Sequence, residues 1–476
     1  LIRKYYTFPE MEIRRIEKMQ EDRKRKRLDM LHGSIWNKLP LFAFPVAATA
    51  ILEQLFNASD IAVVGNFTGA GKTIAVAAVG ANSSIISLLV NLFVGIALGA
   101  NVVIANAIGR RDKETVTKAV HTSIIVALLA GIGVSIAGEL AAKPLLASLQ
   151  VPDDVFQEAL LYLRIYLLGM PVILLYNFEA AIFRSTGDTK TPLVVLTISG
   201  ILNVLLNLFF VAVLHMTVNG VAIATVVSNA LSSVLLFYRL VKTKEMVHVE
   251  LKELRVDRKI LGQIMKIGLP AGIQSAVFAV ANIVIQSAIN SLGTIVMAAS
   301  SAAYNIEIFV YDILNSFSQA CTTFVGQNFG AGKIRRCRKV LILCIVEDAI
   351  ATACAIILIL LAGKNLISIF NNDPQVISVG YTRLIMVFSA YTFSMLYENM
   401  SGYMRGFGFS MIPAIVTTLG ICGVRIFWIM EVFPSHKTFV GILTAYPVSL
   451  SVTALLIFIV LVICRPSKRF QTDKGA

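Results

Sequence analysis

The 476-residue chain is 57% hydrophobic and only 15% charged, with a mean hydropathy of +0.76. Soluble proteins carry about a quarter charged residues, so a large soluble enzyme is excluded, and repeated apolar stretches of about twenty residues indicate a polytopic membrane protein. The net charge of +14 comes from 42 Lys and Arg against 28 Asp and Glu, and its placement decides its meaning. Eleven of the bases fall up to and including Lys38, which opens the first apolar span, with a dense run from Arg23 to Arg27, but six acids share that segment and no aromatic stacking surface accompanies it. This is a juxtamembrane basic segment facing anionic lipid, not a nucleic-acid-binding arm.

Apolar runs bounded by charge predict an all-α protein of twelve transmembrane helices. Behind a basic segment at 1–37, six spans fall near 38–64, 74–107, 119–138, 160–183, 193–214 and 219–238. A basic connector at 239–263 separates them from six more, near 264–290, 294–327, 340–362, 378–404, 411–431 and 440–463, and a tail covers 465–476. The lobes are thus expected at 38–238 and 264–464. No cleavable signal peptide is visible, since the first span is too long and lacks a cleavage pattern. The chain begins at Leu1, and Met30 offers an alternative start that would make much of 1–30 dispensable. With the N-terminus in the cytoplasm, thirty-five of the forty-two bases fall on the cytoplasmic side, four in outer loops, and Arg164, Arg383 and Arg425 within spans. That asymmetry places both termini inside.

The two halves repeat at one fixed offset, without a gap. Gly109 pairs with Gly330, Lys118 with Lys339, Leu163 with Leu384, Tyr176 with Tyr397, Arg184 with Arg405, Gly187 with Gly408 and Pro192 with Pro413. An even number of spans per repeat makes the repeats parallel, a plan used by transporters.

Charged and amide side chains inside spans each need an account, because they are costly in the bilayer. Asp60 lies deep in span one, with Asn57 one turn and Glu53 two turns before it. Span five carries Asn203 and Asn207 on one face, and span six carries Thr225. Together these residues predict an oxygen-rich cluster around one carboxylate, able to bind a proton or Na⁺, or to serve as an interhelical hydrogen-bond network. In the second half, Glu307 and Asp312 are separated by more than one helical turn and point to different faces, so one is expected in a central cleft. Glu347, Asp348 and Glu398 are also intramembrane. Glu398 with Arg405 forms an expected anchoring or gating pair, and Glu179 with Arg184 a local one. The turns Arg184-x-x-Gly187 and Arg405-x-x-Gly408, each followed by Pro192 or Pro413, join spans four to five and ten to eleven.

Two motifs are set aside. Gly69-Ala-Gly-Lys72-Thr73 hints at a phosphate loop, but Asn66 stands where the first glycine belongs. The five histidines have no ligand-like spacing, and the six cysteines form no metal-type pair, reading as reduced structural residues. Neither supports an enzyme, a metal site beyond Na⁺, or a cofactor.

Four segments in order resemble the multidrug and toxic compound extrusion (MATE) family: Gln54–Gly65, Arg184–Pro192, Gly220–Ser228, and Gly326–Lys333 with Arg335 and Arg336. The resemblance covers about 30–464. It implies two six-helix lobes around a V-shaped cleft in a bacterial inner membrane, and efflux of small organic compounds, cationic or amphiphilic, driven by inward H⁺ or Na⁺. It also implies an N-lobe cation site at Asp60, Asn203, Asn207 and Thr225. Asn207 departs from the family pattern, which often has Asp there, and Glu53 is the candidate replacement charge. The competing expectations are a flippase for lipid-linked oligosaccharides from the wider superfamily and a non-transporting receptor. The chain is expected to act as a monomer.

Overall fold

The computed structural model describes residues 28–68, 72–149, 151–435 and 437–467. The basic run Arg23–Arg27, the Gly69–Lys72 side chains and His436 lie outside the described residues. The helices are α1 (Lys38–Phe67), α2 (Lys72–Arg110), α3 (Lys113–Ser148), α4 (Asp153–Leu168), α5 (Met170–Ser185), α6 (Lys190–Asn207) and α7 (Val218–Lys242) in the first half. The second half holds α8 (Arg258–Asn290), α9 (Thr294–Gly330), α10 (Ile334–Ser368), α11 (Pro374–Ser389), α12 (Tyr391–Gly406), α13 (Met411–Thr417), α14 (Val424–Phe427), α15 (Phe439–Leu443) and α16 (Ala445–Cys464). Ten helical segments are long and apolar enough to cross a membrane, and two bent pairs bring the number to twelve among the described residues. Helices are what such sequences must form, because every backbone polar group in lipid has to be satisfied within its own segment.

The bends repeat as the sequence does. α4 and α5 meet at 51° around Gly169, and α11 and α12 at 45° around Ala390, the repeat position of Gly169. Pro171 at the start of α5 removes a backbone donor and accounts for the first break. The second has no proline inside it, so it is held by packing. Span five carries one π-helical stretch, Leu208–Val213, and span eleven carries two, Thr418–Gly423 and Trp428–Val432, the second overlapping the repeat position of the first. The two turns that follow spans four and ten hold Gly187 and Gly408 at φ of 87° and 88°, where a side chain would be strained.

Between the halves, residues 243–257 hold one short 3₁₀ turn and dock on α3: Glu250 N–H donates to His121 Nε2, and Asp257 N–H to Thr122 Oγ1. Asp257 caps α8 by accepting from Lys259 and Ile260 N–H, and these bonds hold its carboxyl below its usual range. Near the chain start, buried Met30 accepts through its carbonyl from Asn328 and Arg336, while Lys333 donates to Leu31 O. Residues 28–33 are therefore part of the folded structure, fitted between the Gly187 turn of one half and the start of α10.

α2 and α8 cross backbone against backbone inside the bundle, at Gly95 and Gly99 facing Gly272 and Gly268, and α2 and α9 meet as closely near the end that carries both termini, at Gly109 and Gly330. Asn101 donates to Ala181 O and accepts from Thr323 Oγ1, which lies in the other half.

Candidate cation site and central polar cluster

Asp60 sits about two turns before the end of α1, 4% exposed. Asn207 Nδ2 donates to its Oδ1 at 2.6 Å, and Thr225 Oγ1 donates to its Oδ2 at 3.0 Å. Asn207 Nδ2 also reaches Asn203 Oδ1 at 3.1 Å, and Asn203 Nδ2 points at Thr225 Oγ1 at 3.4 Å. The four residues expected from the sequence are thus brought together from α1, α6 and α7. The i, i+4 spacing of the two amides on α6 aims both at one point, and Asp60 supplies the charge they surround. Among the described residues Asp60 makes no ion pair, and Asn207 Oδ1 is buried without a partner. A buried carboxylate held only by neutral donors is open to neutralisation by a proton or an ion.

Glu53 is placed elsewhere. It makes no hydrogen bond to the four residues and lies two turns back along α1, where its neighbours are Arg184 and Tyr176 of α5. Arg184 in turn donates from Nη1 to Gln319 Oε1 of α9 at 3.0 Å, across the lobes. The repeat explains this arrangement: Glu53 and Arg184 stand at the register positions of Gln274 and Arg405, and Arg405 Nη2 donates to Gln274 Oε1 at 3.1 Å. Asp312 of α9 has Glu53 as its charged neighbour, and its Oδ2 is buried and unpartnered. Two carboxylates from opposite lobes are therefore electrostatic neighbours, with Arg184 beside one of them. Asn57 is exposed on α1 and joins neither cluster.

Glu307 does not share this position. Its Oε2 accepts from Arg383 Nε and Nη2 at 3.2 and 2.9 Å, and its Oε1 from Tyr391 at 3.3 Å, inside the second lobe. Glu307 is thus taken up inside the second lobe, whereas Asp312 has Glu53 of the first lobe as a charged neighbour. Arg425 stacks on Tyr446 with 4.3 Å to the ring centroid and donates to Ser449. Arg164 pairs with Glu139 at 3.4 Å. Glu398 and Arg405 approach to 3.9 Å as the expected pair. Glu179 does not pair with Arg184: its carboxyl is fully buried and neither oxygen has a hydrogen-bond partner. Gln319, Gln274 and Tyr391 were not singled out by sequence reading, whereas Arg383, an in-span base, is the partner of one of the second-half acids. The only signal for Gln274 was its register with Glu53.

A duplicated twelve-span bundle with a caged intramembrane carboxylate in one lobe and polar groups converging between the lobes defines a multi-pass membrane transporter. The family model described as MatE matches residues 45–209 and 270–429, and the chain belongs to that family. It is similar to the Probable multidrug resistance protein YoeA of Bacillus subtilis, 25% identical over 435 residues that span 89% of this chain and 93% of that protein. The Probable multidrug resistance protein NorM of Thermotoga maritima is also 25% identical, over 82% of this chain and 84% of its own length. A crystal structure of MATE in the bent conformation superposes with a TM-score of 0.85 over 94% of this chain and 98% of that one, at 21% identity.

Proposed function

We propose that the protein exports small organic compounds, cationic or amphiphilic, in exchange for H⁺ or Na⁺ by alternating access. The observation that carries this reading is the Asp60 cage: an intramembrane carboxylate with two neutral donors and no ion pair among the described residues. Occupying it with a cation removes the charge that Asn207 and Thr225 hold, so the packing of α1 against α6 and α7 gains a second arrangement of similar energy. That change closes the side of the cleft lined by the first lobe and releases substrate outside. Glu53 and Asp312, electrostatic neighbours from opposite lobes, supply the negative charge a cationic substrate requires.

The relatives' names support multidrug export. The excess of bases in one set of loops supports a bacterial inner-membrane protein with both termini cytoplasmic, and the close contact at Gly109 and Gly330 then lies on the cytoplasmic side. The lobes run over 38–238 and 264–464 with the connector between, and one chain holds both, which supports action as a monomer.

The test is efflux of ethidium from proteoliposomes under an imposed H⁺ or Na⁺ gradient, comparing wild type with Asp60→Asn. Gradient-dependent efflux lost in the variant is the expected result. Efflux that survives moves coupling to the second lobe. No dye movement under either gradient favours the lipid-linked flippase, for which Arg425, stacked on Tyr446 without an ion-pair partner among the described residues, is the natural anion contact.

A further inference from the structure

The three bases within spans do not fare alike. Arg164 pairs with Glu139 at 3.4 Å and Arg383 with Glu307 at 2.9 Å. Arg405, at the end of span ten, has Glu398 at 3.9 Å. Arg425 is 5% exposed and forms no ion pair among the described residues. A buried charge is ordinarily paired, and an unpaired one inside the bilayer marks a functional site.

Its surroundings hold the guanidinium in one pose. Arg425 Nε donates to Ser449 Oγ at 3.2 Å, and Ser449 Oγ donates on to Tyr446 O at 3.1 Å. The group lies over the Tyr446 ring at 4.3 Å and the Phe278 ring at 5.9 Å. Tyr446 OH is held in turn, accepting from Arg383 Nη2 at 3.4 Å. One edge of the guanidinium and its faces are thus taken. Its two terminal nitrogens have no hydrogen-bond partner among the described residues and are not fully buried. That free fork is the part that grips two oxygens of a carboxylate or phosphate at once.

The repeat gives the place a meaning. The register positions of Asp60, Asn207 and Thr225 in the second half are Ala281, Trp428 and Tyr446, and Ser449 is that of Ser228. The Asp60 cage is built from spans one, five and six. Phe278, Arg425 and Tyr446 come from spans seven, eleven and twelve, the same three of the second half. Where the first lobe holds a carboxylate without a base, the second holds a guanidinium without an acid. π-Helical turns, frequent at functional sites, adjoin both. Leu208–Val213 follows Asn207, while Thr418–Gly423 and Trp428–Val432 flank Arg425.

We propose that Arg425, with Tyr446 and Ser449, forms an oxyanion subsite in the second lobe for the carboxylate or phosphate of an amphiphile. This names a substrate class for the export reading and rests on it in that respect alone. The chain's two tryptophans are Trp36 and Trp428, and Trp428 lies one turn from Arg425. In a Trp36→Phe background, energy transfer from Trp428 to a dansyl group therefore reports binding. The experiment titrates dansylglycine, a carboxylate, and dansylglycinamide, its neutral counterpart, into the purified full chain in detergent. Dansylglycine should bind about tenfold more tightly, the effect of one charge-assisted hydrogen bond. Arg425→Gln should abolish that preference, and Arg425→Lys, which keeps the charge but not the fork, should retain part of it. Should Arg425→Gln not fold, the two ligands and Arg425→Lys carry the test. Equal affinity for acid and amide in wild type, or an unchanged preference in Arg425→Gln, overturns the proposal. Displacement of dansylglycine by phosphatidylglycerol but not phosphatidylcholine would assign the oxyanion to a lipid headgroup, and no displacement by either to a soluble carboxylate. Asp60→Asn should keep the preference, because equilibrium binding needs no gradient. Equal binding of acid and amide beside intact gradient-driven efflux would sink the subsite and leave the export reading standing.

Discussion

Gln327 donates its Nε2–H across the lobe interface to the carbonyl of Ser185 at 2.7 Å. Its repeat partner Asn106 makes the mirrored bond, from Nδ2 to Gly406 O at 3.3 Å, and Gly406 stands at the repeat position of Ser185. The two bonds form a pseudo-symmetric clasp on the end of the bundle that holds the termini. Gln327→Leu keeps the bulk and leaves the Ser185 carbonyl without this donor. Losing a buried hydrogen bond costs about 1–2 kcal/mol, so the lobes should separate there about five- to thirty-fold more often. Spin labels at positions 190 and 333, one on each lobe, should show a longer-distance population growing by that factor. An unchanged distance distribution would mean that the clasp does not hold the lobes.

The same crossing is bounded by glycine. A Cβ at Gly330 would fall 2.0 Å from Asn106 O, and a Cβ at Gly109 2.0 Å from Gln327 O. Gly330→Ala should destabilise the protein in spite of alanine's helix preference of about 1 kcal/mol, because backbone overpacking costs about 1–3 kcal/mol. Gly262, also helical, has open space around it, so Gly262→Ala should raise the melting temperature. Opposite shifts in thermal unfolding are the expected pattern.

Glu307 and Arg383 are a buried ion pair. Removing one partner strands the other, at about 3–5 kcal/mol. Glu307→Leu should therefore lower the melting temperature sharply, and the double variant Glu307→Leu with Arg383→Leu should recover part of the loss. If the single variant instead kept its stability and lost only transport, the pair would belong to the substrate path.

How much of the molecule was legible differed by the length scale of the signal. All twelve spans were readable because hydropathy and charge report on them locally, and the structure extends most by a few residues at the ends. The bend at Gly169 has a local cause in Pro171. The one at Ala390 has none, and it was not read from the sequence although it stands at the repeat position of Gly169. Asp60, Asn203, Asn207 and Thr225 could be grouped because each lies at a recognisable position in its own span. Arg184 as the neighbour of Glu53 could not be read, since α1 and α5 are brought together only by the packed bundle, and an i, i+5 pairing with Glu179 looked as good.

Asp257 gives a pH prediction outside the membrane. Its carboxyl lies below the usual range because it accepts from Ile260 and Lys259 N–H, with Lys118 3.9 Å away. A lowered value in the folded state contributes stability above the normal carboxyl range, and that contribution is lost as pH falls through the folded value. The connector at 243–257 should therefore loosen below the usual carboxyl range while the spans stay folded. An acid-active protease such as pepsin should cut wild type there increasingly with acidity. Asp257→Asn, still a good helix cap but uncharged, should flatten that dependence.

Glu53 and Asp312 separate substrate recognition from coupling. If they hold a cation between the lobes, Glu53→Gln and Asp312→Asn remove attraction for a positively charged substrate without touching the Asp60 cage, whose hydrogen bonds include neither residue. A charge pair at about 4 Å in surroundings of effective dielectric near 20 is worth about 4 kcal/mol before desolvation, and the net loss on neutralising one acid should be a fraction of that. The KM for ethidium should rise about tenfold in each variant, with kcat and the gradient dependence retained. An uncharged dye should be affected far less, which distinguishes lost attraction from a distorted cleft. Loss of the gradient dependence in Glu53→Gln would instead return Glu53 to the coupling site.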